Sequence, residues 1–324
     1  MQTATQKAKV LFLVALASLA FAFQPDPAIL RNAYTDALLR CERDFGAKDT
    51  RTAAAARDLG FFLKEKGDLK GARPAFARAL QVDEANFGSG ARQTLAGMIA
   101  LASVSPSADA ETLLRRVIAA PSLNSPLAVL ALSQLGDLRQ AAGDKTGAAA
   151  YWRRGLQQAE TAFGRESTEA RNILNSLAQV VNAGESVELM ERALLAARHS
   201  LGDGHPETAT CEVNLAQALL RAGRNREAGE KALQGLAIFE TTLGPRHPRV
   251  AAAAGVSGQA LRKQGKAGEA EKYYRQALEI DRSAFGASDS LTRRDAAALT
   301  SLLRVSGRTR EAEQLARDYP PSSK

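Results

Sequence analysis

An aromatic residue or leucine followed by glycine recurs along this chain at Phe45-Gly46, Phe87-Gly88, Phe163-Gly164, Leu201-Gly202, Leu243-Gly244 and Phe285-Gly286. The intervals are 42, 76, 38, 42 and 42 residues, and 76 is two units of 38. A fixed period of this length means that one supersecondary unit is repeated, each copy burying its apolar face against the next. Whatever one unit folds into, its neighbours must fold into as well. About seven units follow, the first preceded by half a unit.

The clearest pair of units is His205 to Arg246 and His247 to Ser288, each opening with His-Pro. In the first half of a unit a leucine precedes a small residue, as in Leu59-Gly60, Leu135-Gly136, Leu177-Ala178 and Leu215-Ala216, with Ser257-Gly258 and Leu299-Thr300 as weaker versions. A glycine then ends the helix and lets the chain reverse, at Gly67, Gly143, Gly184, Gly223, Gly265 and Gly307. The second half carries alanine with a bulky residue four positions on, as in Ala72/Phe76, Ala148/Trp152 and Ala270/Tyr274, followed by pairs such as Ala277-Leu278. Spacings of three and four put these side chains on one helical face. Small residues sit where two helices cross closely and large ones fill the space beside the crossing. Each unit is therefore a helical hairpin, and the alanine-rich, aromatic-poor composition agrees, with only 5% Phe, Trp and Tyr.

At these residues the chain resembles the tetratricopeptide repeat (TPR). The 42-residue unit, the His-Pro opening and the Gly-Pro-x-His-Pro junction from Gly244 to Pro248 are similar to the long form found in kinesin light chains. The resemblance implies an all-α fold, a right-handed superhelical solenoid of stacked antiparallel hairpins, over residues 49–319, with 91–124 degenerate and the turn at Gly184 to Glu188 about three residues short. Residues 23–48 form an extension with a half-repeat helix, and 320–324 a tail.

Residues 1–22 read as a signal peptide rather than as part of the fold. Lys7 and Lys9 precede an apolar, acid-free run from Val10 to Phe23, too short for the roughly 20 residues that span a bilayer, and Ala20-Phe21-Ala22 suits a signal peptidase. Cleavage near Ala22 would place the protein in the periplasm or outside the cell, with no stable membrane insertion. Removing the two lysines takes the net charge from +8 to +6. Such an excess favours an acidic partner, and export argues against nucleic acid.

No residue constellation predicts catalysis, a cofactor or a metal. Gly-x-Ser-x-Gly, His-Glu-x-x-His and Walker-type segments do not occur. His205 and His247 occupy equivalent positions about 20 Å apart in stacked hairpins, too far to share an ion. They read instead as turn residues before helix-starting prolines, and His199 as a cation late in a helix. Cys41 and Cys211, four units apart, are expected to be free thiols.

By the resemblance, the first helices of the hairpins line an inner wall that receives extended peptides. The thirteenth position of each unit holds Phe61, Asp137, Gln179, Gln217, Gln259 and Ser301, so three glutamines fall in a row. Asn172, Asn175, Asn182 and Asn214 add amides, which both donate and accept and so can satisfy a peptide backbone. Arg221, Arg262, Lys263 and Arg304 near the same wall favour an acidic segment or a terminal carboxylate. Charge at Arg57 and Lys64 reads as a solvated face. An apolar C-terminal end at Leu302, Leu303 or Leu315 offers a second docking surface. The expectation is an exported, non-catalytic scaffold that binds another protein or peptide. The alternatives are a structural adaptor docking through the end of the solenoid and a membrane-anchored or cytoplasmic regulatory module.

Overall fold

The computed structural model describes residues 26–120 and 125–320, so the signal segment, its cleavage at Ala22 and the last four residues lie outside the described residues. The described chain is all-helical, with fifteen helices and no strand. It divides into two compact units, one up to Leu127 and one from Ala128, a boundary in the first turn of the helix that opens the second. The first holds a single helix, α1 (Pro27–Phe45), and the hairpins α2/α3 (Thr50–Glu65, Leu69–Phe87) and α4/α5 (Arg92–Ala102, Ser107–Ile118). The second runs from α6/α7 (Ser125–Ala141, Lys145–Phe163) through α8/α9 (Thr168–Ala178, Ala183–Leu201), α10/α11 (Pro206–Arg221, Asn225–Leu243) and α12/α13 (Pro248–Lys263, Ala267–Phe285) to α14/α15 (Ser290–Val305, Thr309–Asp318).

In three of the hairpins the two helices interlock through a glycine and an aromatic ring. A Cβ built on Gly60 would lie 2.7 Å from Phe76, one on Gly136 2.3 Å from Trp152 Nε1, and one on Gly258 2.9 Å from Tyr274. The missing side chain is the seat of the ring, and Trp152 is fully buried there, its indole N–H donating to the Ser133 carbonyl at 3.2 Å. Burying rings of this size adds to the apolar contact of these three hairpins, at roughly 25 cal/mol per Å² removed from water.

The helix starts are capped by short polar side chains. Asp49, Asp68, Asp144 and Asp289 accept from backbone N–H groups of the first turn. The His-Pro openings use the ring: Nδ1 of His205 accepts from the Glu207 N–H and Nδ1 of His247 from the Arg249 N–H, both at 3.1 Å. Each histidine is thus a helix cap. The long second helices close on glycines in the left-handed region, Gly244 at φ +86° among them, where a side chain would be strained.

Three expectations are corrected. Gly184 does not end a helix; it lies inside α9, because α8 stops at Ala178, five residues shorter than α10. Leu302 and Leu303 are buried beneath α15 with Ala312, since even that short helix is long enough to cover them. Arg57 is not merely solvated: its Nη2 donates to Asp83 Oδ2 at 2.7 Å, while Lys64 Nζ donates to Ser103 Oγ at 2.8 Å. Cys41 and Cys211 are free thiols, and burial pushes the Cys211 thiol up to about 11. Among the described residues no helix is long and apolar enough to cross a membrane.

Candidate functional site

The first helices of the second unit each turn a polar stripe outward. On α10 and α12, Gln217 and Gln259 are exposed while their neighbours Ala216, Ala218, Gly258 and Ala260 are buried. Gln179 is also exposed, but it sits just past the last residue of α8 as its C-cap. All three glutamines line one cavity of about 640 Å³, together with Asn175, Asn214 and Arg221. Gln217 and Gln259 also border a second cavity of about 500 Å³ against α14.

The asparagines divide into different roles. Asn214 Nδ2 donates to Asn175 Oδ1 at 3.0 Å between α10 and α8. That bond leaves Asn175 Nδ2 as a donor and Asn214 Oδ1 as an acceptor on two residues that line the cavity, the pair of functions one peptide group needs. Asn182 is exposed but caps α9, its Oδ1 accepting from the Glu185 N–H at 3.0 Å. Asn172 is exposed on α8 and lines neither cavity.

The early end of α8 explains Arg221. With the last turn missing, the Ala178 carbonyl has no helical donor, and Arg221 Nη2 supplies one at 2.8 Å while also donating to Ser186 Oγ. Nη2 of this guanidinium is therefore used within the fold, which leaves its Nε and Nη1 donors. Arg262 lines the second cavity beside Tyr274, whose hydroxyl is pushed up by burial and held back by that guanidinium. Arg304 is exposed on α14 and borders neither cavity. Lys263 completes the rim of the first.

Sequence reasoning missed Asp295, part of the wall of the second cavity. Its residue is 3% exposed and its Oδ1 accepts from Arg294 Nε and Nη2 at 3.0 and 2.9 Å. Burial raises its carboxyl. The same effect, joined by the charge of Asp295, pushes the buried Asp281 of α13 up to about 6. The signal was available: six residues after the capping residue, where Asp289 is followed by Asp295, other units carry Gly97, Ile173, Cys211 or Ala253.

Stacked helical hairpins with an amide-lined wall give the described residues a TPR-like helical-repeat fold. The comparisons with known proteins agree. Residues 182–241 and 213–283 match the tetratricopeptide repeat family. Kinesin-light-chain TPR-like repeats from Podosopora anserina are 22% identical, with a TM-score of 0.53 over 60% of this chain and 93% of theirs. BtubC (BKLC) from P. vanneervenii is 23% identical, with a TM-score of 0.54 over 71% and 95%. A Rap protein solved in complex with Competence and Sporulation Factor is 15% identical, with a TM-score of 0.55 over 84% and 78%. No curated protein matches the chain.

Proposed function

We propose that this chain is a non-catalytic interaction scaffold that holds an extended segment of another protein along the first helices of its second unit, over Gln179, Gln217 and Gln259. The observation that carries this reading is the 640 Å³ cavity, where amides from three successive hairpins converge and the Gln217 and Gln259 amides have no protein partner among the described residues. The Rap neighbour, solved with its factor bound, supports binding as the use of such a fold. Lys263 and Arg262 on the rim favour carboxylates in the parts of the ligand that pass over them. Export after cleavage near Ala22 belongs to the same reading, and it places the partner outside the cytoplasm.

The test is replacement of Gln179, Gln217 and Gln259 by alanine together. Helicity and melting temperature should hold, because exposed substitutions usually cost within about 0.5 kcal/mol. Partner capture from an envelope extract should fall roughly a hundredfold if each lost backbone hydrogen bond is worth about 1 kcal/mol. A triple variant that captures the same proteins as wild type would remove the site from this wall. N-terminal sequencing that finds Met1 intact would reject export.

A further inference from the structure

Two hairpins of this chain place an aspartate at the same buried position and treat it differently. Asp83 and Asp281 each stand five residues before the glycine that closes the second helix, Gly88 and Gly286. Both are buried, at 1% and 2% exposure. In the earlier hairpin Arg57, eight residues after the capping Asp49, reaches Asp83 Oδ2 at 2.7 Å. Eight residues after the capping His247 the chain has Gly255. The position that supplies the cation in one hairpin is empty of a side chain in the other.

The same place carries more acid, not less. Where α4 packs Gly97 near Asp83, α14 brings in Asp295. Two carboxylates, Asp281 and Asp295, then share one cation, Arg294, which bonds Asp295 Oδ1 and stays 4.0 Å from Asp281 Oδ2. Asp281 Oδ1 and Asp295 Oδ2 are buried with no donor group of the chain on them, so only a proton shared between the two carboxyls can join them. Unpaired buried carboxylate oxygens are costly, so a position that retains them is short of a donor. Gly255 and Asp295 both line the 500 Å³ cavity, and a Cβ on Gly255 would meet nothing nearer than Asp295 Oδ1 at 3.9 Å.

We propose that this cavity is a specificity pocket for a basic side chain, an arginine of the bound partner, whose guanidinium enters over Gly255 and pairs with Asp295, the carboxylate of the pair that lines the cavity, as Arg57 pairs with Asp83 within the chain. A planar guanidinium fits better than an ammonium because its fork matches the two oxygens of a carboxylate. Arg262 and Arg294 in the lining oppose a cation that does not bond Asp295 directly, so the pocket selects a guanidinium fork over a diffuse positive charge. The inference deepens the proposed function and rests on it for the identity of the ligand as a protein segment.

The test uses the full chain with N-acetyl-arginine methylamide as the probe and N-acetyl-citrulline methylamide as its neutral isostere, followed by ligand-observed NMR. The arginine probe should bind saturably and at least about tenfold more tightly than the citrulline probe. Gly255→Arg, which grafts the intramolecular cation of the earlier hairpin, should abolish that preference and keep the fold, and Asp295→Asn should weaken it. Equal binding of the two probes, or an arginine preference that survives Gly255→Arg, overturns the pocket. The two readings separate when arginine preference is measured on the unmodified chain and partner capture on the glutamine-to-alanine triple variant: a preference with unchanged capture rejects the amide wall and keeps the pocket, whereas lost capture with no preference does the reverse.

Discussion

The side-chain amide of Asn214 donates to Asn175 Oδ1 across 3.0 Å, joining α10 to α8 at the floor of the amide-lined cavity. Both residues are half-buried, so the bond is partly shielded from water. Asn214→Ala should cost about 1 kcal/mol, and a double-mutant cycle with Asn175→Ala should give a coupling of about 0.5 to 1.5 kcal/mol. Urea melts of the four proteins measure it. Additive losses would mean that the two amides act separately.

Gly136 and Gly184 predict opposite outcomes for the same substitution. Gly136→Ala drives a methyl to within 2.3 Å of Trp152 Nε1, and the fully buried indole has nowhere to go. The expected loss is about 2 to 4 kcal/mol. Gly184 lies inside α9, where an added Cβ meets only Asn182 Oδ1 at 3.4 Å. Gly184→Ala should stabilise by about 0.5 to 1 kcal/mol, since glycine is the more costly residue to fix in a helix. Thermal melts that rank the two variants the other way would refute the placement of Gly184.

The contact of α13 with α14 should depend on pH. Burial and the neighbouring Asp295 raise Asp281 to about 6, above its value of about 4 in an unfolded chain, so the folded state holds a proton that the unfolded state releases. Stability therefore rises as pH falls from about 6 toward about 4, and the penalty is complete above that window. Asp281→Asn mimics the protonated form. At pH 7.5 it should be more stable than wild type by on the order of 2 kcal/mol, and at pH 4.5 the two should melt close together. Arg294, which lowers this carboxyl, and Asp289, which raises it, also face the group, and their opposing effects are already contained in its value of about 6. Melting curves separated by the same amount at both pH values would show that Asp281 does not titrate in this window.

The repeat ruler determined the architecture because period, hairpin and closing glycine are local. A Phe-Gly or Leu-Gly step marks a helix end whose glycine takes positive φ, and a Gly136 placed 16 residues before Trp152 marks a crossing, whatever lies elsewhere. The glutamines were legible for the same reason, since position within a helix sets which face a side chain takes. What the sequence could not show were outcomes that depend on a neighbouring hairpin. The early stop of α8 leaves a carbonyl that Arg221 captures from α10, Asn182 becomes a cap, and ten residues of α15 suffice to bury Leu302 and Leu303. Arg57 and Gly255 hold the same half-buried position of a first helix, yet one answers a buried aspartate and the other leaves two without a full complement of donors. That difference lies between elements distant in the sequence. Only packing brings the carboxylates, the missing side chain and the cavity to one place.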